Sequence, residues 1–190
     1  GWQTWWNFYG IMLGRPAGPA MEQRLAALKE ICEEQNLYDI HIDEVKMKEH
    51  YIAAISDTLS KEQINNEVSK MYDKIEQLIR QNNAMQNGDK MAQYILLSHN
   101  QFAIRIGIPV NKKLEGNKKI SVVRMPAAKV LVAHYFGSHS SIKKAYEALH
   151  FYADKHYMKS PVNPWEVYVT DTTLVKDTVQ WQTDVYYPVY

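Results

Sequence analysis

Near its end the chain carries Thr183-Asp184-Val185-Tyr186-Tyr187-Pro188-Val189, and an earlier stretch, Ile104-Arg105-Ile106-Gly107-Ile108-Pro109-Val110, finishes in the same way. In the earlier stretch Ile104, Ile106 and Ile108 alternate against Arg105 and Gly107, the period of a half-buried strand. A proline cannot donate to a strand ladder, so both strands are expected to end, or to lie on an edge, at Pro109 and Pro188.

Working outward, the segments before each ending also repeat. In the first half, Ile40, Ile42 and Val45 suggest a strand, and residues 51–56 a second. Ser60 with Gln63 then forms a capping box in which each side chain satisfies a backbone donor at a helix start. Ile64, Val68, Met71, Ile75, Leu78 and Ile79 make one apolar helical stripe that stops near Asn82 and Asn83. After the turn signal Asn87-Gly88, strands are expected at 92–97 and 102–110. The second half reads alike: strands at 120–125 and 130–136, a helix from about Ser138 to Ser141 onward, and strands at 165–170 and 183–189. That helix shows Ile142, Ala145, Tyr146, Leu149, Tyr152 and Ala153 on one face.

Two such units predict an α+β fold of two pseudo-symmetric strand-helix-strand-strand repeats, with antiparallel sheets, helices on one face and a ligand groove between the halves. If the aliphatic positions Ile104, Ile106, Val167, Val169, Val185 and Val189 face the helices, the period of two sends Glu166, Tyr168, Thr170, Asp184, Tyr186 and Arg105 to the groove. Tyr94 joins them if Ile95 and Leu97 face their helix.

Composition narrows the function classes. Lys and Arg total 22 against 21 Asp and Glu, a formal charge of +1, so no broad positive field attracts phosphate backbones, and no direct nucleic-acid binding is expected. No apolar run approaches the roughly 20 residues of a membrane helix, so no membrane span is expected. The single cysteine, Cys32, cannot pair within the chain and fits a reducing, cytoplasmic compartment. Seven histidines are scattered without zincin spacing or cysteine partners, so neither a metal nor a cofactor is expected. Gly137-Ser138-His139-Ser140 lacks the spacing of a nucleophile elbow and reads as a helix start.

Residues 1–36 form a separate N-terminal segment ahead of a domain at 37–190. Trp2, Trp5, Trp6, Phe8 and Tyr9 present more aromatic surface than a free tail exposes. They are expected to pack on the main domain or on a second copy of the chain, as a homodimer; a membrane-interface belt is the alternative. A helix follows Pro19, with Met21, Leu25, Leu28 and Cys32 at helical spacing.

Three ordered blocks resemble the second half of GyrI-like domains. These are Val132-Ala133-His134-Tyr135-Phe136-Gly137-Ser138, Pro164-Trp165-Glu166-Val167-Tyr168-Val169-Thr170-Asp171 and Trp181-Gln182-Thr183-Asp184-Val185-Tyr186-Tyr187-Pro188-Val189. Such domains occur alone and as effector-binding modules of bacterial transcription regulators. The resemblance implies a central ligand groove in which an acidic residue among aromatics, here Glu166 with Tyr168, binds cationic or amphipathic compounds. Asp184 stands where relatives often carry glutamate. A fainter resemblance links Met21-Glu22-Gln23-Arg24-Leu25-Ala26-Ala27-Leu28-Lys29 to the final helix of an SRPBCC (START-like) domain.

The leading reading is a binding module, a sensor for a small hydrophobic or cationic ligand, with Glu166, Tyr168, Asp184, Tyr186, Tyr94, Arg105 and Tyr135 as ligand-binding residues. A carboxylate taken out of water loses several kcal/mol of solvation unless a cation or hydrogen bonds replace it. The competing reading pairs Glu166 with Arg105 or another base inside the groove. Tyr135, Tyr146, Tyr152 and Tyr157 at strand or helix spacing are more often core residues than ligand contacts. The resemblance implies two alternatives: a hydrolase of reactive electrophilic compounds, with Glu166 as general base and Tyr168 as proton donor, and an inhibitory protein-interaction module such as a topoisomerase inhibitor. An enzyme is the less expected class.

Overall fold

A computed structural model describes Arg24 and residues 40–190. The aromatic segment, the helix after Pro19 and the SRPBCC-like stretch lie outside the described residues. The elements are β1 (His41–Met47), β2 (His50–Ser60), α1 (Lys61–Gln81), β3 (Lys90–Ser98), β4 (Gln101–Val110), β5 (Ser121–Met125), β6 (Ala128–Phe136), α2 (Lys143–Lys155), β7 (Trp165–Tyr168) and β8 (Gln182–Val189). Single 3-10 turns precede α2 (His139–Ser141) and β8 (Thr178–Gln180).

The start of α1 follows from its capping box, with the Ser60 backbone N–H donating to Gln63 Oε1 at 3.0 Å. Its end follows from Asn82 as the cap and from Asn83, whose φ of 48° is a left-handed conformation that asparagine tolerates. Ser138 caps the turn before α2 by accepting from the Ser140 backbone N–H.

All eight strands join one curled antiparallel sheet in the order β1-β6-β8-β7-β3-β4-β2-β5. Exchanging each strand of the first repeat for its counterpart in the second reverses this order onto itself, so the pseudo-two-fold axis passes between β3 and β7. The first strand of each repeat crosses over: β1 pairs with β6, and β5 with β2. The expected α+β fold is therefore present, its two sheets made continuous where Lys90, Met91 and Ala92 pair with Tyr168, Val167 and Glu166.

Both helices lie on one face, α1 over β2 and β4 and α2 over β6 and β8, with a groove between the halves. Under α1, Met71, Ile75, Leu78 and Ile79 meet Ala53, Ile55, Ile104, Ile106 and Ile108. Full burial of one such aliphatic side chain stabilises by about 1.5–3 kcal/mol. Under α2 the buried residues are smaller: Ala145, Ala148, Leu149 and Ala153. Pro109 and Pro188 pair with Ile52 on β2 and Val130 on β6, beyond the points where β3 and β7 stop pairing. Their missing N–H groups thus cost no ladder bond on that side.

The registers define counterparts between the halves. Superposing the β3–β4 ladder on β7–β8 matches Ala92 with Glu166, Tyr94 with Tyr168, Arg105 with Asp184 and Gly107 with Tyr186. The β2–β4 and β6–β8 ladders match Ala54 with Val132 and Ser56 with His134.

The registers also correct one expectation about faces. Glu166 lies opposite Val185, and Tyr168 opposite Thr183, so the acid and its tyrosine share the helix-covered face with Val185. Val167 lies opposite Asp184, and Trp165 opposite Tyr186, on the other face. Alternation within each strand was as expected, but the phase of β7 relative to β8 is set by their pairing, and Val167 is not a helix-facing residue.

Candidate functional site

Glu166 sits in the middle strands of the sheet, beside the pseudo-two-fold axis and between the two helices. It is 6% exposed. Tyr146 of α2 donates its hydroxyl to Oε1 at 2.9 Å, and Tyr168, two residues along β7, donates to Oε2 at 2.9 Å. The Tyr168 hydroxyl, spent on the carboxylate, accepts from Tyr94 across the axis at 3.1 Å. Tyr72 of α1 donates to the Met91 carbonyl at 2.9 Å and completes the cluster. Tyr72 precedes Tyr94 by 22 residues, as Tyr146 precedes Tyr168. The duplicated frame thus supplies two tyrosine pairs and a single acid, because the counterpart of Glu166 is Ala92.

Burial raises the Glu166 carboxyl pKa above its ordinary range, while the Tyr146 and Tyr168 hydroxyls and the nearby His139 act in the opposite direction. Burial also raises the tyrosines: Tyr94 is pushed up to about 12, Tyr72 and Tyr146 higher still, and Tyr168 well above the ordinary phenol range, with the Glu166 charge adding to the effect. All four therefore remain neutral donors at physiological pH. Among the described residues no lysine or arginine forms an ion pair with Glu166. The pairing of Glu166 with Arg105 does not occur; Arg105 lies on the opposite face, and its Nε donates to Ser56 Oγ at 3.1 Å.

The seven residues singled out in the sequence divide between the two faces. Glu166, Tyr168 and Tyr94 come together. Tyr135 shares their face but not their cluster; it is buried, and its hydroxyl donates to the Ser138 carbonyl at 3.0 Å. Asp184, Tyr186 and Arg105 lie on the far face. There Asp184 contacts His134 Nδ1 at 2.9 Å and accepts from Gln182 Nε2 at 3.0 Å, while Tyr186 stacks on Trp165 with ring centroids 5.9 Å apart.

Four residues at the cluster were missed. Tyr146 and Tyr72 bring hydroxyls from the two helices. His139 meets Tyr168 edge-on at 5.4 Å and contacts Thr183 Oγ1 at 3.3 Å, with Trp181 at 5.7 Å on its other side. The equal spacing of the two tyrosine pairs is the signal that would have found Tyr72 and Tyr146. Among the described residues no group of three or more His, Cys, Asp or Glu side chains is arranged to hold a metal ion, and no helix is long and apolar enough to cross a membrane.

Residues 41–190 match the family described as the GyrI-like small molecule binding domain. No curated protein sequence is similar enough to count as a match. Among solved structures, EcmrR in its complex with DNA is similar at a TM-score of 0.74 and 13% identity, over 90% of this chain and 66% of that one, so this chain spans just under two thirds of that length. The separate EcmrR C-terminal domain aligns at a TM-score of 0.70 and 13% identity, over 80% of this chain and 98% of that one. SAV2435 bound to tetraphenylphosphonium aligns at 0.51 and 13% identity, over 79% of this chain and 94% of that one. Identities this low speak for the fold alone. The match over residues 41–190 carries the assignment: the chain belongs to the GyrI-like small-molecule binding domain family.

Proposed function

We propose that the domain is a sensor module that captures a lipophilic or amphipathic cation at Glu166. The observation that carries this reading is a carboxylate 6% exposed that, among the described residues, is held by two tyrosine hydroxyls with no basic side chain paired to it. Such a group has lost most of its hydration, and a cationic guest restores the charge balance that hydroxyls only partly supply. The surrounding tyrosine rings offer flat apolar contact and attraction to positive charge, about 0.5–2 kcal/mol for each good contact. The likeness to SAV2435 bound to tetraphenylphosphonium, itself a lipophilic cation, supports the same reading. The likeness to the EcmrR C-terminal domain supports a role as the ligand-receiving part of a regulator.

Calorimetric titration with tetraphenylphosphonium tests the proposal. Wild-type protein is expected to bind it, and Glu166→Gln to bind at least tenfold more weakly. Equal affinities for the two proteins would remove the acid from the site.

A further inference from the structure

The face of the sheet turned away from Glu166 carries a pocket of about 160 Å³ under the first half. Its floor is Ala54 and Gly107, cross-strand partners on β2 and β4. Its walls are Ile52, Met91, Met125 and Trp165, and Arg105 stands at its rim. Val162 also borders it, in a loop tied to β3 because Gln93 Nε2 donates to the Asn163 carbonyl at 2.8 Å. Cavities of about 150 Å³ with apolar walls are large enough to take a benzene ring.

The equivalent positions of the second half carry larger side chains, as the registers show. The counterpart of Gly107 is Tyr186, whose ring stacks on Trp165, and the counterpart of Ala54 is Val132. The small residues that open the pocket occur in one repeat only. A side chain at position 107 would also disturb the wall, since a Cβ there would lie 2.5 Å from Ile52 Cγ2.

The charge at the rim differs between the halves as well. Asp184, the counterpart of Arg105, is engaged by His134 and Gln182. Arg105 gives one N–H to Ser56, and among the described residues no carboxylate forms an ion pair with it. A guanidinium carries five donors in a fork that matches a carboxylate, so its remaining N–H groups are available for one. We propose that this pocket is a second binding site, for a small anion with an apolar body such as an aromatic or short acyl carboxylate, whose charged end Arg105 holds at the rim. This site is independent of Glu166, which lies across the sheet and favours the opposite charge.

The full chain labelled with ¹³C-methyl methionine provides the test, because Met91 and Met125 line the pocket while Met71, on α1, is buried against the other face of the sheet. Their methyl signals are assigned by Met→Leu substitution. Benzoate is expected to shift the Met91 and Met125 methyls and leave Met71 in place, and benzyl alcohol, its neutral analogue, to bind far more weakly. Arg105→Gln is expected to weaken benzoate binding on the order of tenfold or more, the loss of a charge-assisted hydrogen-bond pair, with the Met71 signal reporting that the variant is folded. The proposal is overturned if benzoate leaves Met91 and Met125 unmoved, if benzyl alcohol binds as tightly as benzoate, or if Arg105→Gln binds benzoate as the wild type does.

Discussion

Ala92 and Glu166 face each other as register partners on β3 and β7, and they are also counterparts in the two repeats. The pseudo-two-fold axis therefore passes beside a position that is a methyl group in one half and a carboxylate in the other. Two glutamates there would be forced together in a buried site, where like charges oppose ionisation of both. The single acid avoids that conflict and leaves one defined anionic point among four tyrosines.

That buried acid makes stability depend on pH in a definite direction. Burial raises the folded-state pKa of Glu166 above the ordinary carboxylate value of 4.5, so the folded protein holds the proton more firmly than the unfolded chain. The resulting penalty is absent well below pH 4.5 and grows as pH rises through the folded pKa. Glu166→Gln removes it. The melting temperature of the variant relative to wild type is expected to rise between pH 4 and pH 8, as followed by scanning calorimetry; a difference that stays flat or falls with pH contradicts the assigned environment.

Tyr146→Phe keeps the ring and removes one of the two hydroxyls on the carboxylate. Leaving a buried charged acceptor short of a donor is expected to cost about 1–3 kcal/mol at pH 7. The cost should shrink near pH 4, where the carboxyl is neutral. Urea unfolding at the two pH values checks this, and an equal cost at both would show that the hydroxyl does not serve the charge.

His134 joins three strands. Its Nδ1 lies 2.9 Å from Asp184 on β8, and its Nε2 lies 3.2 Å from Asp43 on the edge strand β1. His134→Ala leaves Asp184, 7% exposed, with Gln182 as its remaining side-chain hydrogen-bond partner. The expected loss is about 1–3 kcal/mol, and hydrogen exchange of β1 amides should accelerate more than that of β4. Uniform acceleration across the sheet would argue against a local role in holding the edge.

Gly107→Ala is expected to destabilise by about 1–3 kcal/mol, because the new methyl group meets Ile52 Cγ2 at 2.5 Å. Ile52→Ala alone should cost about 2–5 kcal/mol as a core truncation. In the double variant the clash is gone, so its total loss should fall short of the sum of the two single losses. Denaturant midpoints of the four proteins decide this; strict additivity would mean that the strain lies elsewhere.

Much of this architecture was legible before any coordinates. The Ile64-to-Ile79 stripe, the Ser60 and Gln63 capping box and the Ile104, Ile106, Ile108 alternation each identified their element, because helix and strand periods are properties of short segments. Glu166 and Tyr168 were identified through the resemblance of their block to a family. Tyr146 was read as a core residue, since a tyrosine on an apolar helical stripe looks the same whether its hydroxyl ends in solvent or on a buried acid. Asp184, Tyr186 and Arg105 were grouped with Glu166 and Tyr168: Val185 and Ile104 do face the helices, but the aliphatic Val167 suggested the same for β7, whose pairing with β8 puts Glu166 and Tyr168 on the helix face instead.

The order of residues by itself determined a duplicated α+β chain and the face each side chain shares with others in its own strand or helix. Only the tertiary structure decided that β1 and β5 exchange between halves, that Tyr146 reaches Glu166 from the helix of the same repeat, and that Arg105 looks into a separate pocket across the sheet. The division has a physical cause. Periodicity is written into consecutive residues, whereas register and facing between distant strands are settled by ladder hydrogen bonds and packing among segments that no local pattern relates.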